Sequence, residues 1–332
     1  MVVRRDGSIE ISQFVILLRI TEGESRLMDA VPTDEEIDNT IKTLKRGKSS
    51  GLDGVTNDFI LKCWDIVRGN CISMIQCFWE RKSLLHKNTQ GCIKLFAKNE
   101  ERQWLKNWHL ITLMSCTYKI ISKLRANRLT PFLMYLINSE LTGFIPGRRI
   151  NDNILTLRLA EEWSNLSGEE NLFVKLDFTK AFDRVSYTFR WHTLRVMGLS
   201  EDSIRRIRGL MVGGSSRVHV NEAFSQPIKI KRGVRQGCPL APLLFVLCNQ
   251  PMIQALRKEE SSGNLQGLQL PGHQSILHEL FADDTSLFIR AQARNFLHAR
   301  KVIKKFEVAS GASLNMQKSM VMALGLHAIE PG

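Results

Sequence analysis

The sequence predicts an α+β fold in which a largely helical region precedes an antiparallel sheet that carries acidic residues. The first observation is an apolar strand over residues 172–176, which ends at Asp177. The second is a hairpin over residues 278–289, with Asp283 and Asp284 at its bend. Two adjacent carboxylates repel each other, so a hairpin that places them together is most stable when cations neutralise them.

The elements are predicted in chain order by spacing and capping. Thr33 and Glu36 form a predicted capping box that opens the first clear helix. The remaining helices are predicted from apolar residues at helical spacing and from flanking Gly or Ser residues. The remaining strands are predicted from alternating apolar and polar residues. The predicted helices are 58–80, 117–137 with a break or bend at Pro131, 154–163, one between Ser186 and Gly198, one that starts at Ser200, 240–252 and 294–308. The predicted strands before and after the central one are 92–96, 217–221 and 226–230.

The chain is expected to divide into four segments. Residues 1–30 have no clear structural pattern, and residues 326–332 form a tail. Residues 31–171 make up the helical region, and residues 172–325 make up the region of the sheet and its carboxylates.

The charge distribution favours a polyanionic partner. The chain has 332 residues and a formal net charge of +13. Residues 81–158 carry 14 Lys and Arg against 4 Asp and Glu, and residues 184–257 carry 12 against 3. These basic blocks flank the strand that ends at Asp177, as expected if a nucleic-acid backbone passes beside it. Two ordinary solvated helix faces are the alternative.

The cysteines and the hydropathy pattern favour an intracellular protein. The seven cysteines are odd in number and form no Cys-x-x-Cys pair, which argues for reduced thiols rather than disulfides or a zinc site. No apolar run reaches the length of a membrane span, and the N-terminus gives only weak evidence for a signal peptide.

A third stretch lies between the two acidic ones. Residues 233–245 read GVRQGCPLAPLLF, a turn rich in Gly and Pro that leads into a helix. Together with KLDFTKAFD at 175–183 and FADD at 281–284, in this order, it resembles the reverse transcriptase family, and most of all its non-LTR (LINE-type) members. The weaker resemblance extends from about Lys42 to Lys318.

The resemblance implies a right-hand polymerase fold and RNA-directed DNA synthesis. Residues 31–171 would form the fingers and 172–325 the palm, with the thumb largely missing, since few residues follow Lys318. Relatives add deoxynucleotides to a primer 3′-OH, so an RNA template, a DNA primer and deoxynucleoside triphosphates are the expected partners, in the nucleus and cytoplasm. No membrane partner is expected, and the sequence does not indicate an oligomeric state.

The resemblance also assigns the site residues. Asp177, Asp283 and Asp284 are the expected catalytic carboxylates, and with the Phe178 carbonyl they would hold two Mg²⁺ ions, for which Mn²⁺ could substitute. Oxygen ligands suit Mg²⁺, and two such ions clamp the oxygens of phosphoryl transfer. The residues assigned to the nucleotide are Lys98, Phe182, Gln236, Gly237 and Lys318. Those assigned to the template backbone are Arg148 and Arg149.

Several alternatives stay open at this stage. Phe182 would exclude a 2′-OH, but a core phenylalanine fits its pattern nearly as well. Relatives have an arginine and a proline where this chain has His109 and Leu110. Because arginine is always charged and binds phosphate through two donors, its loss indicates either an impaired element remnant that binds nucleic acid without efficient synthesis or a compensating neighbour such as Arg102 or Lys106. An unrelated metal-dependent hydrolase, with His278 as its base, is the third hypothesis.

Overall fold

The computed structural model describes residues 18–273, 275–281 and 284–325. The helices are α1 Glu22–Asp29, α2 Asp34–Lys42, α3 Asn57–Lys62, α4 Trp64–Arg81, α5 His86–Thr89, α6 Cys116–Leu136, α7 Ile150–Ser167, α8 Ala181–Arg184, α9 Tyr187–Val196, α10 Glu201–Met211, α11 Ala241–Ser261 and α12 Ala293–Ser310. The strands are β1 Gly91–Ala97, β2 Trp108–Met114, β3 Asn171–Leu176, β4 Ser215–Val220, β5 Ala223–Phe224, β6 Ile228–Lys229, β7 Leu268–Gln269, β8 Ser275–Ile276, β9 His278–Phe281, β10 Asp284–Arg290 and β11 Met320–Leu324.

The chain folds into two compact units, each made of segments that are not contiguous in sequence. Unit 1 contains Phe132–Met197 and the described residues from Phe245 onward. Unit 2 contains Ile20–Pro131 and Gly198–Leu244. Mixed helices and sheets occur in both units, which confirms the α+β class predicted from the sequence.

The sheet of unit 1 has the strand order β11-β3-β10-β9, and all of its described pairings are antiparallel. Strand β9 pairs with β10, and Phe281 lies opposite Asp284, so the strands of the predicted hairpin are confirmed. Ala282 and Asp283, which connect the two strands in the sequence, lie outside the described residues, so the predicted place of Asp283 at the bend stays a prediction. Most residues of β3 and β10 are buried, including neighbours such as Phe173 and Val174, and the rings of Phe173 and Phe288 lie 5.3 Å apart.

The main sheet of unit 2 is mixed in direction. Strand β1 pairs with β2 in antiparallel fashion and with β4 in parallel, and β4 also pairs with β5 and β6. The alternating pattern over residues 217–230 therefore predicts the paired strands correctly. The parallel pairing joins segments 125 residues apart, as in Gly91 opposite Ser216, so no local sequence pattern indicates it.

The capping box predicted at α2 is half formed. The Thr33 hydroxyl accepts a hydrogen bond from the Glu36 N–H at 3.2 Å, as predicted. The Glu36 carboxylate does not return to the cap, because it forms an ion pair with Arg128 at 2.6 Å. That guanidinium in turn lies 5.0 Å from the buried ring of Trp79. A tertiary ion pair has thus replaced half of a local motif.

Two predicted helices differ in extent from the observed ones, whereas α6 at Cys116–Leu136 matches the helix predicted over 117–137. The helix expected over 58–80 is two helices, α3 and α4, which meet at Cys63. Conversely, α6 continues through Pro131 and α11 continues through Pro251. None of the helices in the described ranges combines the length and the apolar character that crossing a membrane requires.

Candidate active site

Two of the predicted carboxylates lie at the same end of one strand pair in unit 1. The ladder of β3 and β10 runs from Asn171 opposite Arg290 to Leu176 opposite Thr285. Asp177 follows Leu176, and Asp284 precedes Thr285. Antiparallel strands bring the carboxyl end of one to the amino end of the other, so both aspartates reach the same edge of the sheet.

The segment at residues 313–319 fixes the position of Asp177. The Asp177 carbonyl accepts from the Asn315 N–H at 2.7 Å, and the Asp177 N–H donates to Ser319 Oγ at 3.1 Å. The Asn315 side-chain amide donates to Asp177 Oδ2 at 2.9 Å. Because amide, hydroxyl and backbone all hold this residue, its carboxylate is oriented without being neutralised.

Asp284 is more open. Its side chain is 52% exposed, and Lys175 Nζ lies 3.4 Å from Oδ1. Exposed ion pairs of this kind are worth about 0–1 kcal/mol, so this lysine holds the carboxylate only weakly. In the described part of the chain no arginine pairs with either aspartate.

The donor chemistry of this edge fits a hard divalent cation. Asp177 and Asp284 contribute carboxylate oxygens, which Mg²⁺ and Mn²⁺ accept. Among the described residues no group of three or more His, Cys, Asp or Glu could hold a metal ion. Asp283, the third predicted carboxylate, lies outside the described residues.

Phe178, whose carbonyl is a predicted ligand, is buried beside this edge. It forms an isolated bridge with Leu314, and its ring meets Phe306 at 6.0 Å. The bridge uses the Thr179 N–H and the Asp177 carbonyl. The carbonyl of Phe178 itself is therefore not consumed by this pairing.

Phe182 lies on the short helix α8 and is half-buried. Its ring stacks on the buried ring of Phe245, with a centroid distance of 4.3 Å and an interplanar angle of 23°. The ring of Phe144 meets it edge-on at 6.3 Å. The residue thus packs in a small aromatic cluster rather than deep in the core.

The predicted nucleotide residues of unit 2 centre on a tight turn. Gly237 has a φ of +101°, and a Cβ there would lie 2.6 Å from the Thr112 carbonyl oxygen. The Thr112 N–H donates to the Gln236 carbonyl at 3.2 Å. Only glycine allows this turn to lie so close to β2. Lys98 is exposed just beyond β1, and its N–H donates to the Asn107 carbonyl at 2.8 Å.

The two predicted template arginines differ in their surroundings. The guanidinium of Arg148 donates to the carbonyls of Asn138, Leu141 and Ile137, the last two at 2.6 and 3.1 Å. It therefore satisfies backbone acceptors after the end of α6. Arg149 is exposed, and its N–H donates to the Asp152 carboxylate at 3.1 Å.

Sequence reasoning missed two residues, one in each unit, that hold predicted site segments in place. One is Asn315, whose link to Asp177 spans 138 residues. The other is Arg235, which is buried beside the turn in unit 2 and donates to the Thr89 carbonyl while its guanidinium lies 5.6 Å from the Tyr118 ring. A charged residue inside an otherwise apolar and turn-rich stretch was the available signal for Arg235.

Comparison with known proteins agrees with the geometry. Residues 96–328 match the family model described as "Reverse transcriptase (RNA-dependent DNA polymerase)". The chain is 28% identical over 302 residues to a Xenopus laevis protein, "Transposon TX1 uncharacterized 149 kDa protein". It is 26% identical over 240 residues to the "Retrovirus-related Pol polyprotein from type-1 retrotransposable element R2" of Popillia japonica.

These relatives are much longer than this chain. The alignments cover 90% and 69% of this chain but only 23% and 31% of the respective relatives. Among solved structures, the apo telomerase from Candida tropicalis, truncated from its C-terminal domain, superposes with a TM-score of 0.51 at 15% identity. That match covers 85% of this chain and 59% of the telomerase chain, and it shows a shared fold.

Proposed function

Because the chain belongs to the reverse transcriptase (RNA-dependent DNA polymerase) family, we propose that it is the RNA-directed DNA polymerase region of a non-LTR retrotransposon protein. The observation that carries the proposal is the register of β3 and β10, which puts Asp177 and Asp284 at one strand end. An oriented carboxylate beside a more open one, neither paired with an arginine among the described residues, suits a centre that binds cations and then phosphates.

The sequence predicts fingers at 31–171 and a palm at 172–325; the proposal instead lets the two regions follow the compact units, with the palm in unit 1 and the fingers in unit 2. Unit 1 supports this assignment because its antiparallel sheet carries the carboxylates. Unit 2 contains the turn at Gly237 and the strand pair β1–β2 that leads to Lys98, which are the elements assigned to the nucleotide.

Asp177 and Asp284, with Asp283 from the sequence, would hold two Mg²⁺ ions, to which the Phe178 carbonyl could add an oxygen. When bound, the ions lower the pKa of the primer 3′-OH and neutralise charge on the triphosphate. Asn315 orients the Asp177 carboxylate before any ion binds, and this preorganisation avoids a rearrangement during the reaction.

The remaining residues act on the substrates. Phe182 packs under the sugar and excludes a 2′-OH, while Gln236 and Gly237 support the incoming nucleotide. Lys98 contacts the triphosphate. Lys318, which is exposed three residues after Asn315, gives a proton to the pyrophosphate leaving group.

The proposed partners are an RNA template, a DNA primer and deoxynucleoside triphosphates. Arg149 contacts the template backbone, since its side chain is exposed. Arg148 contributes by holding the backbone that precedes it.

A second candidate is an impaired polymerase that binds nucleic acid without efficient synthesis. His109 favours it, because this residue is exposed on β2 opposite Phe96, at the position where relatives have an arginine. A neutral histidine supplies one hydrogen-bond donor instead of a charged fork.

Primer extension on poly(rA)/oligo(dT) with Mg²⁺ separates the two. The first proposal predicts incorporation of dTTP by the wild type, and its loss on chelation and in Asp177→Asn. The second predicts no incorporation, salt-sensitive RNA binding, and synthesis restored by His109→Arg. Absence of both synthesis and RNA binding, in the wild type and in the revertant, would contradict both.

A further inference from the structure

The turn between α6 and α7 holds a phenylalanine in an unusual backbone conformation. Phe144 has a φ of +64°, in the left-handed region that bulky side chains rarely adopt. Its side chain is also 47% exposed, so burial in a core does not offset the strain. A residue that is both strained and exposed is a candidate for a functional role.

Contacts on both sides of Phe144 impose this conformation. Before it, the Thr142 N–H donates to the Leu280 carbonyl at 2.9 Å, which ties the turn to β9. After it, the Arg148 guanidinium donates to carbonyls at Ile137, Asn138 and Leu141. The ends of the turn are therefore fixed, and the aromatic ring can point in few directions.

The ring of Phe144 points at Phe182. The two rings meet edge to face at 6.3 Å with an interplanar angle of 89°, a favourable geometry for an aromatic pair. The ring of Phe182 also stacks on the buried Phe245 at 4.3 Å. Phe182 is thus held between a buried ring and an exposed one, and only the exposed one depends on the strained turn.

We propose that Phe144 is a positioning residue that holds Phe182 in the conformation that discriminates deoxyribonucleotides from ribonucleotides. This inference rests on the proposed function, in which Phe182 lies under the sugar of the incoming nucleotide. Without Phe144, the ring of Phe182 keeps its stack on Phe245 but loses its second contact, so it tilts and admits a 2′-OH.

The test compares Phe144→Gly, Phe144→Tyr and Phe182→Ala in primer extension with dTTP and with UTP. Glycine adopts the positive φ without strain, so the first variant removes the ring while leaving the turn intact. The expected result is a fall of about three- to tenfold in the ratio of kcat/KM for dTTP to that for UTP, as the loss of one aromatic contact implies. Tyrosine keeps the ring and should keep the ratio.

The rise in kcat/KM for UTP should account for most of the change, while KM for dTTP stays within twofold of the wild type. An unchanged ratio in Phe144→Gly, beside a lowered ratio in Phe182→Ala, would overturn the inference and leave the polymerase intact. Wild-type protein that extends no primer would instead contradict the proposed function.

A measurement that needs no catalysis distinguishes failure of the inference about Phe144 from failure of the proposed function. With 4-fluorophenylalanine at position 182, the ¹⁹F resonance should shift or broaden in Phe144→Gly and stay unchanged in Phe144→Tyr. An identical resonance in the wild type and in Phe144→Gly would show that the contact does not position Phe182, and would overturn the inference whatever the activity.

Discussion

Acidic side chains have different partners at the two ends of the strand pair β3–β10. At the Asn171 end, Glu169 forms an ion pair with Arg290 at 2.7 Å. At the other end, Asp177 is oriented by an amide and Asp284 meets only a lysine at 3.4 Å. One sheet thus carries a carboxylate held closely by an arginine at one end. At the other end it carries one carboxylate oriented by an amide and one that is paired with a lysine at a longer distance. The partner of each carboxylate, rather than the presence of acidic residues, distinguishes the end suited to cations.

The sharpest test of this comparison removes one carboxylate from each end. Asp177→Asn should lower the rate of nucleotide incorporation at least about 10²- to 10³-fold, because a preorganised electrostatic group is lost. Glu169→Gln should keep the rate within about twofold and lower the free energy of unfolding by about 1 kcal/mol or less. Single-turnover extension and urea unfolding measure the two effects. A loss of activity as large in Glu169→Gln would refute the distinction.

Substitution of the asparagines beside the two ends should show the same contrast. Replacing Asn315 should lower activity, and replacing Asn171 should lower stability. Asn315→Ala should lower incorporation about tenfold, the effect of one hydrogen bond to a charged group, with little change in stability. Asn171 is buried, and its amide donates to Ser164 Oγ at 3.1 Å. Asn171→Ala should therefore cost about 1–3 kcal/mol of stability and little activity. Activity per folded molecule, corrected by circular dichroism, distinguishes the outcomes.

Much of this arrangement follows from local sequence, and some of it does not. The strand that ends at Asp177 and the hairpin before Asp284 are visible as apolar runs that stop at carboxylates. Asn315 is not, because its bond to Asp177 exists only once β11 pairs with β3. A sequence pattern indicates the local conformation that neighbouring residues prefer. The orientation of the Asp177 side chain depends instead on segments that meet only in the folded chain.

The same limit applies to residues whose surroundings decide their role. Arg148 and Arg149 look alike in sequence, yet one guanidinium binds three carbonyls and the other side chain is exposed. Likewise, no pattern in the sequence indicates a positive φ at Phe144, since glycine is the residue that signals one. The helix predicted over 58–80 is divided at Cys63, and α11 continues past its predicted end at residue 252 to Ser261, because tertiary context overrides local propensity.

Glu279 predicts an effect of pH on the stability of the protein. It lies on β9, which pairs with β10, the strand that begins at Asp284. Burial raises the pKa of Glu279 to about 7, with the negative charges of Glu140 and Asp152 adding to it. A folded-state pKa above the unfolded one contributes stability at low pH that is lost as pH rises from about 4.5 through 7. Burial lowers the pKa of His278 to about 4, so its contribution is lost as pH falls from about 6.5 through 4.

Glu279→Gln should therefore stabilise the protein at pH 8 by about 1 kcal/mol after allowance for solvent screening, and change nothing at pH 4. Urea unfolding at pH 4, 6 and 8 measures this difference. The stability maximum of the variant should move to higher pH than that of the wild type. Equal destabilisation at every pH would mean that the carboxylate of Glu279 makes a packing contact instead.

The smallest expected effect is a loss of RNA-binding affinity when Arg149 is replaced, and the adjacent Arg148 serves as the comparison. Arg149→Ala should weaken RNA binding about two- to threefold and reduce the slope of log affinity against log salt by about 1. Arg148→Ala should lower stability by about 1–3 kcal/mol, because three carbonyls lose their donor, and leave the salt slope unchanged in the folded fraction. Fluorescence anisotropy at several salt concentrations measures the slopes.

Metal binding tests the central claim most directly. Mn²⁺ is titrated, with electron paramagnetic resonance as the readout, into the complex with RNA template, a primer that lacks a 3′-OH, and dTTP. The wild type and Glu169→Gln should bind two Mn²⁺ ions more tightly than the nucleic acid and nucleotide do without protein, and Asp177→Asn should lose at least one of them. Equal Mn²⁺ binding by Asp177→Asn and the wild type would show that the Asp177 end of the strand pair is not the metal centre.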